Sequence, residues 1–575
     1  MHLLLNQTKS VSYKFIFLLA AFLSLSLTAT TQNELTGWIK ESKTAAPIEG
    51  ALVTLLPSQQ RTTTDEQGRF LFQNGVAKQM VQVSSIGHET ATISMEEFLK
   101  RNGILLLRTN PVQLSEVKIT TTAGGQYQTI SKVDINLRGI NNAQEVLRMV
   151  PGLFIGQHAG GGKAEQIFLR GFDLDHGTDI NISVDGMPVN MVSHAHGQGY
   201  ADLHFLIPEL IENVAFKKGS YYAEKGNFTT AGFVGFKTVN ALSNNSIKLE
   251  GGMFNTFRTV GQFNLLNSRA AAKGQSAFIT SEYMYTKGYF DNPQNFNRVN
   301  LFGKYYGALG KKHHLNFSAS TFSSKWDASG QIPERAVESG LIGFYGAIDP
   351  NEGGKTSRTN LNTVLTSTLN NSSYFKNQIY YSRYRFDLYS NFTFFKVDTL
   401  NGDQIRQKED RNLYGYNGSY HRVNHVGSTK VTSEAGINVR LDRTFHSELS
   451  RTKDRTTTLM PLAFGDISEN NLAAYISENF AFSPKFSANA GLRYDYFSNR
   501  YRDQLNNNAI GKASAGILSP KLNFHYHPTQ YVQLYLSSGK GFHSNDTRVV
   551  VPQNGLQVLP AAYGSDLGTV LKPAK

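Results

Sequence analysis

From Ser246 to Leu571 the chain keeps returning to one pattern, stretches of about ten residues in which apolar and polar side chains alternate between turn residues. Leu315, Phe317, Ala319 and Thr321 alternate with Asn316, Ser318 and Ser320. Phe486, Ala488, Ala490, Leu492, Tyr494 and Tyr496 alternate with Ser487, Asn489, Arg493 and Asp495, and Val532, Leu534 and Leu536 with Gln533, Tyr535 and Ser537. Successive side chains of a strand point to opposite faces, so each segment offers one apolar and one polar face. Such a wall suits lipid outside and a polar lumen inside. A sheet in hydrocarbon must close on itself, because an open edge leaves backbone N–H and C=O groups unpaired. The pattern therefore predicts a transmembrane antiparallel β-barrel over residues 246–575, with about 14 strand candidates. Tyr305, Tyr306, Tyr380 and Tyr381 stand at segment ends and are expected in the interfacial aromatic girdles. Polar stretches at 323–357, 397–410 and 443–470 read as long loops, which bacterial barrels place outside the cell.

The remainder must supply other domains, since 575 residues exceed one compact core. With 37 Phe, 27 Tyr and only 16 Pro, the composition suits an aromatic-rich β protein rather than a disordered chain. The absence of cysteine excludes disulfides, thiolate metal sites and a lipid-modified cysteine anchor. The net charge of +13 is scattered without a basic run, which argues against nucleic acid and for anionic head groups or ligands. Lys9 and Lys14 precede an apolar stretch, Phe15–Leu27, and small residues Thr28–Thr31, the layout of a cleaved secretory signal over residues 1–31. That stretch is too short to cross a bilayer as a helix.

Residues 143–239 carry the most specific text. Asn142 and Glu145 have capping-box spacing, and Ala143, Val146, Leu147 and Val150 form a helical apolar face that Pro151-Gly152 ends. Ile167–Leu169, Ile180–Val184 and Val214–Lys218 read as strands, Pro208 opens a short helix over Glu209–Asn213, and Asp185-Gly186-Met187-Pro188 is a turn. The succession VPG, LRGF, VDGMPV and GFVGFKT resembles, in order and spacing, the plug domain of TonB-dependent outer-membrane receptors, assigned to residues 129–241. In that pattern Arg170-Gly171 holds the place of a buried arginine and turn, and Asp185-Gly186 that of a second structural turn. Residues 34–109 alternate short β runs (Leu35–Lys40, Ala51–Leu56, Arg69–Phe72, Met80–Ser85) with turn residues and predict a β-sandwich. Their PIEGALVTL and TTTDEQGRFLF segments resemble the carboxypeptidase-regulatory-like domain that precedes many such receptors. Residues 110–128 read as a linker. Within it Leu114, Ser115, Glu116, Val117, Lys118, Ile119 and Thr120 begin an extended β-branched strip that looks like a TonB box, able to add a strand to a partner's sheet edge.

The fold class expected is thus mainly β: an N-terminal sandwich, an α+β plug and a barrel. The resemblance implies energised uptake of a scarce solute across the Gram-negative outer membrane, with TonB, outer-membrane lipid and a small-molecule or metal-chelate ligand as partners. A ligand sensor that signals without bulk transport, and a passive porin, are the alternatives. Plugged transporters have about 22 strands. Against that number, and with Lys572-Pro573-Ala574-Lys575 in place of a terminal aromatic strand, the expectation is a C-terminally incomplete barrel.

Five of the 15 histidines fall in the plug-like block, His158, His176, His194, His196 and His204, with Asp173 and Asp175 among them. Read as a strand, His194-Ala195-His196 puts both imidazoles on one face. Imidazole with carboxylate suits zinc, copper, nickel or iron, so these seven residues are candidate ligand or metal contacts, with the metal as cargo and no cofactor otherwise implied. Hydrogen bonding within plug loops is the plainer alternative, and pH sensing is a further one. Gly160-Gly161-Gly162-Lys163 lacks the first glycine and the Ser or Thr of a phosphate loop, and no G-x-S-x-G, cysteine nucleophile or H-E-x-x-H is present, so no enzymatic activity is expected.

Overall fold

The computed structural model describes residues 34–551, apart from 57–59, 74–78, 86–87, 109–127, 137, 141, 158–160, 175–177, 371, 428, 484 and 530–531. The expected signal segment and the TonB-box-like strip lie outside the described residues.

At the N-terminus two small sheets face each other. Glu34–Glu41 pairs with Arg69–Gln73 and Ile104–Leu107, and Leu52–Leu56 pairs with Gln60–Thr63 and Met80–Ser84, which carries Ala91–Ser94. Ile39, Val53, Leu55, Phe70, Val81, Val83 and Phe98 fill the space between them, a core made only of this unit's own residues.

The plug is built around a mixed sheet in which Ile180–Val184 runs parallel to Gly232–Thr238, itself antiparallel to Ile211–Lys218. Asn142 Oδ1 accepts the Glu145 N–H at 2.9 Å and starts the helix Ala143–Leu147 as the capping spacing predicts. Ala143, Val146, Leu147 and Val150 all join the plug core. Pro208 opens only a single 3-10 turn, Pro208–Leu210; the expected helix to Asn213 is instead strand from Ile211, because Asn213 to Lys218 pair with Gly232–Lys237. Arg170 and Gly171 both have positive φ, 57° and 79°, as a tight turn requires, but Arg170 is exposed rather than buried.

From Ser246–Gly252 to Val532–Gly539 thirteen strands form one sheet in sequence order, each antiparallel to the next. The expected count of about 14 ran on to Leu571, and residues 552–575 lie outside the described residues. The wall is inverted relative to a soluble protein. On Phe296–Leu309, Arg298, Asn300, Phe302 and Lys304 are buried while Val299 and Leu301 face outward. Ile379, Ile437, Leu472, Tyr494 and Leu518 continue the outward apolar band on later strands. The girdle expectation needs correcting at Tyr306 and Tyr380. Both point inward and are buried, Tyr380 within the plug core, because neighbours on a strand cannot share a face.

Connections at one end are short, 310–312, 371–372, 427–428, 484–485 and 530–531, apart from 265–275, which carries the helix Ser268–Ala272. At the other end lie 287–295, 329–351 and 391–404. The third expected loop, 443–470, is strand. Thr429–Lys453 and Thr457–Ser483 extend 25 and 27 residues and turn at Asp454-Arg455, both with positive φ. A membrane crossing takes about 9–11 residues. The rest of this hairpin stands above it, where both faces are wet and Thr-rich polar sequence remains good strand.

The plug turn at Asp185-Gly186 ties plug to wall. Asp185 (φ 47°) and Gly186 (φ 79°) close a two-residue hairpin between Val184 and Met187. The Asp185 carboxylate accepts from Thr238 N at 2.9 Å and Thr238 Oγ1 at 2.6 Å, and lies 3.4 Å from Lys304 Nζ. Its carbonyl accepts from Asn362 and Gln378 of the wall. A Cβ on Gly186 would meet Gln378 Oε1 at 2.6 Å. Gly186→Ala should therefore lower stability by more than about 1 kcal/mol. Gly139→Ala, where nothing lies within 4 Å, should leave the thermal midpoint unchanged in the same assay.

Candidate functional site

The plug meets the wall most intimately at a hairpin. Met191–His194 pairs antiparallel with Gly197–Tyr200 around a turn at Ala195-His196. The expected straight strand through both histidines is thus interrupted by a turn, and the two imidazoles stay close, with ring centroids 6.4 Å apart. Every residue from Met191 to Ala195 is buried, so each polar group there needs a partner.

Those partners come from the wall. Arg411, fully buried, donates to Glu409 Oε1 at 3.0 Å and Asp442 Oδ1 at 3.0 Å, lies 3.4 Å from Glu469 Oε2, and donates to the Ser193 carbonyl. Glu409 Oε2 accepts the Ala195 N–H at 2.8 Å. Glu469 Oε1 accepts from the Ser193 hydroxyl and, at 2.7 Å, from Thr547 Oγ1, while Thr547 N donates to Ser193 Oγ at 2.8 Å. Arg440 donates to Asn190 O at 2.8 Å, Arg358 to Pro188 O at 3.0 Å and Arg548 to His194 O at 2.6 Å. Backbone carbonyls and amides of 188–195 are thus gripped by charged side chains from four separate segments of the chain. Charge-assisted bonds of this kind are stronger than neutral ones, and in a dry lumen no water competes for them.

The histidines serve this packing. His194 stacks on Tyr200 with ring centroids 3.9 Å apart, meets Phe386 edge-on, and places Nε2 3.2 Å from Tyr384 Oη. Its Nδ1 accepts the His196 backbone N–H at 3.2 Å, which leaves the Nε2 proton for the tyrosine. His204 Nδ1 sits 2.8 Å from Asp202 Oδ1, and its carbonyl accepts from Asn300 of the wall. Asp173 lies on Phe172–Leu174 opposite Phe168; His158, Asp175 and His176 are outside the described residues. Among the described residues no three His, Asp or Glu side chains converge as a metal-ligand set.

Toward the long-loop end the plug rises to an apex at Gly161-Gly162-Lys163. A Cβ on Gly162 would stand 2.1 Å from the Trp326 indole, so glycine is what lets the apex lie flat against that ring. Ala164 N donates to Tyr200 Oη at 2.9 Å, and Lys163 Nζ lies 3.0 Å from His196 Nε2, placing two basic groups under the mouth. Burial pushes the neighbouring Glu165 carboxyl up, opposed by the charge of His204. Above the apex, Arg455 at the tip of the long hairpin reaches across the opening. It meets Asp327 Oδ1 at 2.9 Å and Asn351 O at 2.6 Å, and its backbone N–H donates to Gln404 at 2.9 Å.

The arginine clamp escaped the sequence reading, although a signal for it exists. Glu409-x-Arg411, Arg440-x-Asp442 and Arg493-x-Asp495 each place opposite charges two residues apart, hence on one face of a strand; all three pairs are joined, and every member but the half-buried Arg440 is buried. Opposite charges at that spacing within an alternating segment mark the lumen side.

Comparison with known proteins matches residues 35–119 to the CarboxypepD_reg-like domain, 120–233 to the TonB-dependent Receptor Plug Domain and 280–573 to the TonB dependent receptor-like beta-barrel. The TonB-dependent heme receptor A of Haemophilus ducreyi is 27% identical over 148 residues, 25% of this chain and 19% of that protein. The vitamin B12 transporter BtuB of Vibrio vulnificus is 24% identical over 226 residues, 38% of this chain and 35% of that protein. The chain therefore spans about a third or less of the length of these two relatives. In fold it is similar to the ferric citrate transporter FecA in its unliganded form, with a TM-score of 0.63 and 15% identity over 73% of this chain and 63% of that one. It is also similar to the ferric yersiniabactin uptake receptor FyuA of Yersinia pestis, with a TM-score of 0.58 and 14% identity over 76% and 68% of the two chains. With the barrel match alone covering just over half of its residues, the chain belongs to the TonB-dependent receptor family.

Proposed function

We propose that the protein imports a scarce solute, a siderophore, metal, haem or similar, with TonB supplying the work, and that it is a receptor rather than an enzyme. Its barrel lies in the Gram-negative outer membrane, with the plug's N-terminal side in the periplasm. The reading assigns 34–109 to a periplasmic domain, 110–128 to the TonB-contacting linker, 129–241 to the plug and 246–575 to the wall. The observation that carries it is the clamped plug. A lumen filled by a domain whose backbone is gripped by wall arginines makes no sense for an open pore, and every sense for a gate that must be pulled.

Relatives named for haem, vitamin B12 and ferric citrate support a solute of that scarce class. The partly exposed His196 at the apex, backed by the buried ammonium of Lys163, favours an anionic chelate. Of the seven residues first considered as metal contacts, His196 is the one this reading retains for the ligand. Leu114 to Thr120 are assigned to TonB, because an extended strip ahead of the plug offers an edge to pair with.

Three outcomes are expected. Deleting residues 114–122 from the full-length gene should abolish growth on whichever of a panel of ferric siderophores, haem or cobalamin the intact protein supports. Uptake that survives this deletion, or the loss of TonB, would overturn the reading. Arg411→Ala strips Glu409 and Glu469 of their buried guanidinium partner, leaves Asp442 with Arg440 alone, and should cost about 3–5 kcal/mol, seen as a lowered thermal transition. The chain has 2 tryptophans, so in a Trp38→Phe background Trp326 emission should change when the cognate chelate moves the Gly161–Lys163 apex.

A further inference from the structure

The N-terminal domain touches the rest of the molecule through charge. Its core is closed, Leu35 to Leu107, and shares no residue with the plug core, which runs from Ile130 to Leu413. Two lysine–glutamate contacts bridge the units. Lys237, on the plug strand Gly232–Thr238, pairs with Glu49. Lys376, near the short-turn end of the wall strand Ser373–Ser390, donates to Glu66 Oε1 at 2.8 Å and Oε2 at 2.7 Å. Glu66 lies in the turn Asp65–Gly68 that precedes Arg69–Gln73, and Asp65 is occupied within the domain by Arg69.

The two contacts fall on different bodies, one on the plug and one on the wall, both at the periplasmic end. We propose that the N-terminal domain is a reversible staple across the periplasmic mouth, fastening plug to wall at the exit through Glu49–Lys237 and Glu66–Lys376, and that it must let go before the plug can shift. The domain thereby acts on the gate directly, whatever the solute.

The chemistry of the contacts suits a latch. All four side chains are between a quarter and a half exposed, with Glu66 at 43% and Lys237 at 27%. Such pairs are individually weak and screened by salt, so they hold a domain in place without fixing it there. The groups facing Glu66 are Lys376, Lys237 and His421. The charge of Lys376, aided by the other two and opposed by burial, holds its carboxyl down at about 2 from an ordinary 4.5. A depressed carboxyl stabilises the docked state in full above 4.5 and loses that contribution as pH falls toward 2. This contact therefore survives mild acidification. Lys237 is held above its ordinary value: burial lowers it, and the charges of Glu49, Glu212 and Glu66 outweigh that.

Because the chain has no cysteine, a label pair at Glu96→Cys and Lys312→Cys reports the distance between domain and wall cleanly in the full chain in nanodiscs. A narrow distance distribution at low salt is expected, broadening in molar salt and in Glu49→Lys/Glu66→Lys. It should narrow again when Lys237→Glu/Lys376→Glu is added, a rescue that non-specific damage to the fold could not produce. A distribution already broad at low salt, or one unmoved by both salt and charge reversal, would overturn the staple. None of these readouts depends on uptake, so the staple and the import reading can fail separately.

Discussion

A wall that shows apolar side chains to lipid has to put its polar ones somewhere, and the rest of this molecule follows from where they go. Each strand of the sheet alternates, so every outward Leu or Ile commits a neighbour to the lumen. Many of those neighbours are Arg, Lys, Asp and Glu buried to a few per cent exposure. Such groups are stable there only if paired, and the wall cannot pair them all with itself. The plug supplies what is missing. Its turns and its 188–195 backbone present carbonyls and amides at the positions where Lys304, Arg358, Arg411 and Arg440 end.

This division gives the plug two kinds of cohesion. Its sheet and helix are held by an ordinary apolar core, Val146, Leu147, Ile180, Ile182, Val214 and Val234 among others. Its attachment to the wall adds directed polar grips, the Asp185 turn and the arginine clamp, to shared apolar clusters such as Met191 and Tyr200 with Trp326 and Phe386. An apolar contact loses free energy gradually as two surfaces part, whereas a short directed bond is lost within an ångström or so. The plug–wall contact combines both kinds.

Much of this was legible in the sequence. Alternation over 246–571 gave the barrel, since period two has only one structural meaning when it repeats so often. Asn142, Pro151-Gly152 and Asp185-Gly186 marked the plug's helix and turns because their chemistry is local. What stayed hidden was non-local. That His194 and His196 sit at a hairpin end is revealed only by the Met191–Tyr200 pairing, and whether polar residues 443–470 form loop or strand depends on how far the hairpin rises above lipid. The clamp lay in between: the i, i+2 charge pairs are visible in the text, but the backbone they hold, some 220 residues earlier for Arg411, is not.

The long hairpin joins two of these places. Thr429–Lys453 carries Arg440 and Asp442, Thr457–Ser483 carries Glu469, and their shared tip presents Arg455 to Asp327 and Asn351 across the opening. Between tip and clamp the two strands are bonded rung by rung, from Lys453 opposite Thr457 down to Asp442 opposite Glu469, interrupted only by bulges. One hairpin therefore contributes at both levels, Arg455 to the contacts at the mouth and Arg440 and Glu469 to the grip on the plug, so a change of sequence in this single ribbon touches the outermost and the innermost contacts together.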